Sequence, residues 1–208
     1  MRNEPIELKT VGLAFFFAAS ALLPSAPALA AGLSIEDQCD VAAGSIHDRT
    51  RNPAFPPVAS GQMELGVALS ACRAAYKAGG DARIAFQLAR ALEQGGQILS
   101  AEQLYGEAAG RGHTAAMVSL GRLLQGKGDA ENAFALYKRA AEAGDRHGAY
   151  ALGVAYREGV GTAADPELAA RWLDVAAAGG YEIAALAEDF STAGEVKALD
   201  RLPISPLR

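Results

Sequence analysis

Aromatic residues make up only 7% of this 208-residue chain, and a single tryptophan stands among them. Valine, isoleucine and threonine are scarce as well, so the residue types that long β-sheets require are missing and a β-sandwich is excluded. Cationic excess is also absent: 19 Lys and Arg face 24 Asp and Glu, a net charge of −5, which argues against a nucleic-acid partner. Two cysteines and three histidines occur, with no C-x-x-C spacing and no ligand-like histidine pattern, so neither metal nor cofactor is expected. No G-x-S-x-G occurs, and no serine is visibly paired with a histidine and a carboxylate, so no catalytic residue is assigned and the chain is read as no enzyme. What remains is plentiful and small: 47 alanines and 23 glycines within a chain that is 50% hydrophobic. Alanine is the best helix former and lets helices approach closely, so the composition predicts an all-α fold.

Residues 1–30 read as a signal peptide. Arg2 and Lys9 precede an apolar run from Val11 to Leu23, Pro24 and Pro27 end it, and Ala28-Leu29-Ala30 supplies a small-x-small cleavage pattern. The run is shorter than the roughly 20 residues that span a bilayer, so no stable membrane span is expected after cleavage. The reading is a periplasmic or secreted bacterial protein. In that compartment Cys39 and Cys72 are read as a structural disulfide rather than a redox or metal pair, stapling an N-terminal segment (31–62) to the first helix of the body.

Residues 63–194 carry a repeat. Gly80, Gly112 and Gly144 are spaced by 32, and Gly179 follows after 35. Leu88, Leu120 and Leu152 share the offset of 32, as do Leu92, Leu124 and Tyr156, and Tyr105 and Tyr137 with Trp172 after 35. Each unit reads as two helices. Ala85, Leu88, Ala89 and Leu92 recur at helical spacing in the first helix, and Ala101, Leu104, Tyr105 and Ala108 in the second. Ser100 with Gln103 has the form of a capping box, and Asp165-Pro166 opens a helix. Gly95-Gly96, Gly112, Gly126, Gly144, Gly159 and Gly179 suit left-handed positions that terminate helices. Ala89, Gly121 and Gly153 leave room on the buried stripe, with Tyr105, Tyr137 and Trp172 expected to fill it. A single helical pair cannot bury its apolar face, so units must stack. Residues 195–208 read as a C-terminal tail.

The unit Ala149–Gly179 resembles the Sel-1-like repeat, a relative of the tetratricopeptide repeat. The matching positions are Leu152, Gly153, Tyr156, Gly159, Gly161, Asp165, Ala169, Trp172, Ala176 and Gly179; the preceding unit keeps Leu120, Gly121, Tyr137, Ala140, Ala141 and Gly144. The resemblance implies a right-handed α/α solenoid of helical hairpins. It also implies a non-catalytic adaptor or regulator, whose unidentified protein partner belongs to the envelope or to signalling. Some secreted, cysteine-rich members of the family have been associated with binding or hydrolysing β-lactam-type compounds, which sets the alternative function. Those carry a disulfide within each repeat, whereas Cys39 and Cys72 lie ahead of the matching repeats.

Two further patterns need placing. Gly121 to Lys127 spells G-x-x-x-x-G-K, but Gly128 stands where a phosphate loop needs Ser or Thr, and Gly121 falls inside a helix. His113 and His147 begin equivalent helices and are read as solvated helix-start residues. The candidate partner-binding surface is the concave face built by the first helices of successive units, with Arg83, Gln87, Arg90, Ser119, Arg122, Tyr150 and Arg157 pointing outward.

Overall fold

Five of the helices described below begin where a short side chain, a serine or an aspartate, receives their free amides. Asp81 accepts from the Ile84 amide, Asp129 from Asn132, Asp145 from Gly148, and Asp165 from Glu167 and Leu168, with Pro166 at the first helical position. The computed structural model describes residues 32–181, all in one compact unit apart from Gly32. Residues 1–30, read above as a signal peptide, residues 182–194 and the expected C-terminal tail (195–208) therefore lie outside the described residues.

Among the described residues all regular structure is helical. The order is α1 (Ile35–Ala43), a short 3-10 turn (Ser60–Gln62), α2 (Leu65–Lys77), α3 (Ala82–Gln94), α4 (Ile98–Gly110), α5 (Thr114–Gly126), α6 (Ala130–Glu142), α7 (Arg146–Glu158) and α8 (Pro166–Ala178). The pairs α3/α4, α5/α6 and α7/α8 form hairpins, and α4 packs on α5 as α6 packs on α7. The architecture is an all-α solenoid of stacked helical hairpins. No helix among the described residues is long and apolar enough to cross a membrane.

Small residues make the stacking seam. A Cβ at Gly121 would stand 2.5 Å from the Tyr137 ring, and one at Gly153 would stand 2.8 Å from Leu173 Cγ. Leu173, not Trp172, thus fills the space above Gly153. The seam also has a polar register: Tyr105 donates to Glu93 at 2.8 Å and Tyr137 donates to Gln125 at 2.9 Å, one repeat apart. Gly161 combines a φ of +67° with an approach that would bring a Cβ within 2.1 Å of the Ala130 carbonyl oxygen, so only glycine fits the loop beside α6.

Three local expectations need correcting. Ser100 and Gln103 are no cap, because α4 starts earlier, at Ile98, and Gln97 holds the cap position. Gly126 is the last residue of α5, and the left-handed turn is made by Gly128. Gly179 has a φ of −74°, and Gly180 takes the left-handed position.

The N-terminal segment is part of the solenoid. α1 pairs with α2 and also touches α3, as α5 touches α7, so it occupies the place of a first helix although residues 44–64 separate it from its mate. The Cys39–Cys72 disulfide joins the two helices, and both cysteines are fully buried.

Candidate functional site

The first helices α3, α5 and α7 place equivalent residues in rows spaced by 32: Arg83, Ala115 and His147; Phe86, Val118 and Tyr150; Gln87, Ser119 and Ala151; Arg90, Arg122 and Val154. The sequence-selected surface residues belong to these rows, with Arg157 one turn further along. Their surroundings divide sharply.

At the N-terminal end the face is covered by the chain itself. Arg83 is ion-paired with Asp40 and, at 3.3 Å, with Glu36. Gln87, expected to point outward, is 0% exposed and donates to the Asp40 carboxylate at 2.5 Å. Arg90 donates to the Ala43 carbonyl and, at 2.9 Å, to the Val58 carbonyl. These three side chains hold α1 and the segment behind it instead of pointing outward. Further along, Ser119 and Arg122 are partly buried, Tyr150 stacks on Tyr181 with ring centroids 5.0 Å apart, and exposed Arg157 pairs with Glu158 at 2.9 Å.

The covering element is a closed loop. The Val58 amide donates to the Gly44 carbonyl at 2.7 Å, so residues 44–58 leave the body and return to nearly the same point, as compact Ω-loops do. Its tip crosses to the second and third units. Asp48 lies 3.2 Å from His113 Nε2, Arg49 donates to the Gly144 carbonyl at 3.0 Å, and the His47 ring stacks on His147 at 4.3 Å.

His113 is therefore a buried connector and not a solvated helix start. Its Nδ1 accepts the Ala116 amide at 3.2 Å as the cap of α5, which leaves the proton on Nε2, facing Asp48 Oδ1 and Thr50 Oγ1 at 3.2 Å each. The ring stacks on Phe86 at 4.6 Å. Burial raises the Asp48 pKa, but hydrogen bonds from His113 and from the Thr50 amide and hydroxyl outweigh it, holding the carboxyl below its ordinary value. A hydroxyl, a histidine and a carboxylate meet here without a catalytic relay. Thr50 and Asp48 share one ring nitrogen while a backbone amide occupies the other, and the Thr50 hydroxyl donates to Asp48 at 2.6 Å. No group of three or more His, Cys, Asp or Glu among the described residues could hold a metal ion. In the G-x-x-x-x-G-K stretch, Gly121 and Gly126 lie within α5, and Lys127 is ion-paired with Glu102.

Beside the loop the face opens into a cavity of about 410 Å³. Phe86, Ile98 and Val118 supply apolar lining, and Arg90, Ser119 and Arg122 supply hydrogen-bond donors.

In structure the chain is similar to c5321, a protective antigen of uropathogenic Escherichia coli with an SLR fold, at 21% identity and a TM-score of 0.48, covering 61% of this chain and 26% of that one. It is likewise similar to a Sel1 repeat protein from Oxalobacter formigenes, at 25% identity and a TM-score of 0.48, covering 56% of this chain and 50% of that one. The solved structures it resembles are Sel1 repeat proteins. The chain thus spans about a quarter and half of the lengths of these Sel1 structures. No family model and no curated protein matches the chain.

The Asp48–His113 and Arg90–Val58 contacts escaped sequence reasoning because they join residues 65 and 32 positions apart. The available signal was compositional: a Pro- and Ser-rich stretch carrying Asp48 and Arg49 ahead of a helical array needs a folded neighbour to satisfy it.

Proposed function

We propose that this chain is a non-catalytic Sel-1-like repeat adaptor or regulator, exported to the bacterial envelope, that binds a segment of another protein on the face built by α3, α5 and α7. One observation carries the reading: that face already holds a polypeptide. Arg90 receives two main-chain carbonyls from the N-terminal segment, and the Ω-loop tip is gripped by His113 and by the Gly144 carbonyl. Side chains that satisfy an irregular backbone in this way suit recognition of an extended segment from elsewhere, as concave solenoid faces do. The continuation of that face along α5 and α7 is where a partner fits.

Crosslinking of the exported protein in its native envelope, followed by recovery under denaturing conditions, tests the function. A reproducible protein partner whose crosslinks map to α5 and α7 supports it. Recovery of none, in preparations that yield known envelope complexes, rejects it. Fractionation tests the location: a mature chain beginning near Ala31 in the periplasmic or secreted fraction is expected, and full-length protein retained in the cytoplasm would contradict it.

A further inference from the structure

Three residues suffice to turn the hairpins α3/α4 and α5/α6, whereas the hairpin of α1 and α2 uses residues 44–64. Because the Val58 amide meets the Gly44 carbonyl at 2.7 Å, residues 44–58 end where they began and add no reach to that turn. What they add is contacts at the starts of α5 and α7. Asp48 Oδ1 accepts from His113 Nε2, and the Arg49 guanidinium donates to the Gly144 carbonyl at 3.0 Å, one repeat further on. Two consecutive residues thus offer a carboxylate and a guanidinium to the turns that precede successive first helices. The grip is incomplete. Asp48 Oδ2 is buried without a hydrogen-bond partner, while Arg49 and Thr50 are exposed. A buried carboxylate oxygen left unpaired costs its lost hydration, so an incoming segment that satisfies both oxygens can replace this one.

We propose that residues 47–50 are an internal stand-in for the partner segment, and that the partner competes with them for the same contacts. This rests on the binding reading above. The partner is a protein whose extended segment carries adjacent Asp and Arg in that order. Its carboxylate meets His113 Nε2–H, and its guanidinium meets the Gly144 carbonyl. When it binds, the loop tip leaves the face, and the Cys39–Cys72 disulfide together with Asp40 beneath Arg83 and Gln87 keeps α1 in place. Tethering gives the loop a high effective concentration, so the internal copy holds off weak competitors and admits only a better-matched or locally abundant segment.

Fluorescence anisotropy with the purified mature, disulfide-bonded chain tests this. The probe is a labelled peptide of residues 44–58, and the receptor is a chain whose residues 46–57 are replaced by a Gly-Ser linker of equal length. The linker chain is expected to bind the peptide at least about tenfold more tightly than the parent chain, whose own loop competes. Asp48→Arg with Arg49→Asp in the peptide keeps its composition and charge and should weaken binding by about tenfold. A chain carrying Asp48→Ala with Arg49→Ala keeps the loop but loosens its tip. It should bind the unaltered peptide at least about threefold more tightly than the parent chain does, which decides the matter if the linker chain does not fold. Circular dichroism checks the folding of each chain. No binding of the peptide to a folded linker chain, equal binding of the exchanged peptide, or equal binding by the parent and loosened chains overturns the proposal. A protein partner that crosslinks to α5 and α7 of a linker chain indifferent to the peptide would overturn this stand-in role and leave the adaptor reading standing.

Discussion

The two ends of the solenoid are built by different means. From α3 to α8 each helix meets its neighbour in sequence, and within the first two hairpins the turn is three residues: Gly95 to Gln97, and Lys127 to Asp129. Packing there depends on small residues at fixed spacing. The N-terminal hairpin, α1 with α2, closes instead across residues 44–64 and is held by a disulfide, by Asp40 beneath Arg83 and Gln87, and by the Ω-loop on His113. Repetition makes local contacts that need no long-range tie. A unit assembled from distant pieces must recover a larger chain-closure entropy, so it carries covalent and polar links.

Breaking the disulfide should separate the two regions most clearly. Cys39→Ala with Cys72→Ala is expected to lower stability by about 3–4 kcal/mol in urea unfolding. Hydrogen exchange should then accelerate first in α1 and residues 44–58 while α5–α8 keep their protection. Uniform loss of protection along the chain would show that the two regions unfold as one.

Gly153→Leu attacks the repetitive region by itself. A side chain there collides with Leu173, so stability should fall by about 2 kcal/mol or more, read as a lower melting temperature with the disulfide intact. An unchanged midpoint would break the proposed register.

Asp48→Ala tests the polar tie and should cost about 1–3 kcal/mol, because buried His113 Nε2–H loses its charged acceptor and the Thr50 amide and hydroxyl lose theirs. The pH dependence has a definite sign. The native Asp48 pKa is depressed, so its contribution is complete above the unfolded carboxylate value of about 4 and is lost as pH falls through the lower native value. Acid titration followed by exchange at residues 44–58 should show that loss in the parent protein and not in Asp48→Asn.

The smallest effect belongs to the seam. Burial, followed by the charge of Glu93, raises the Tyr105 pKa well above its ordinary value. Stability should therefore decline as pH rises past about 10, where the unfolded phenol ionises. Tyr105→Phe should cost only about 1 kcal/mol at neutral pH and should remove much of this alkaline sensitivity. Alkaline unfolding identical in the variant would place the sensitive group elsewhere.

The spacing of 32 exposed the helical hairpins because the contacts that make them are local: Tyr137 meets Gly121 from the adjacent helix, and Asp165 caps the helix it precedes. Helix ends were less legible. Adjacent glycines such as Gly126 and Gly128, or Gly179 and Gly180, are equally able to turn left, and hydrogen bonding chooses between them. The exposure of the face built by α3, α5 and α7 was not legible at all. Arg83, Gln87 and Arg90 have the polarity of surface residues, and their coverage comes from Asp40, Ala43 and Val58.

By itself, then, the sequence determined an all-α array of small-residue hairpins, the disulfide partners and the residue rows that recur along the first helices. Helical periodicity and repeat spacing are short-range properties, visible wherever a residue's neighbours in space are its neighbours in the chain. Tertiary structure alone decided that α1 completes the solenoid and that residues 44–58 form a loop reaching His113, Gly144 and His147. Those outcomes depend on chain segments 30 to 95 residues apart finding complementary donors and acceptors, which no local pattern encodes.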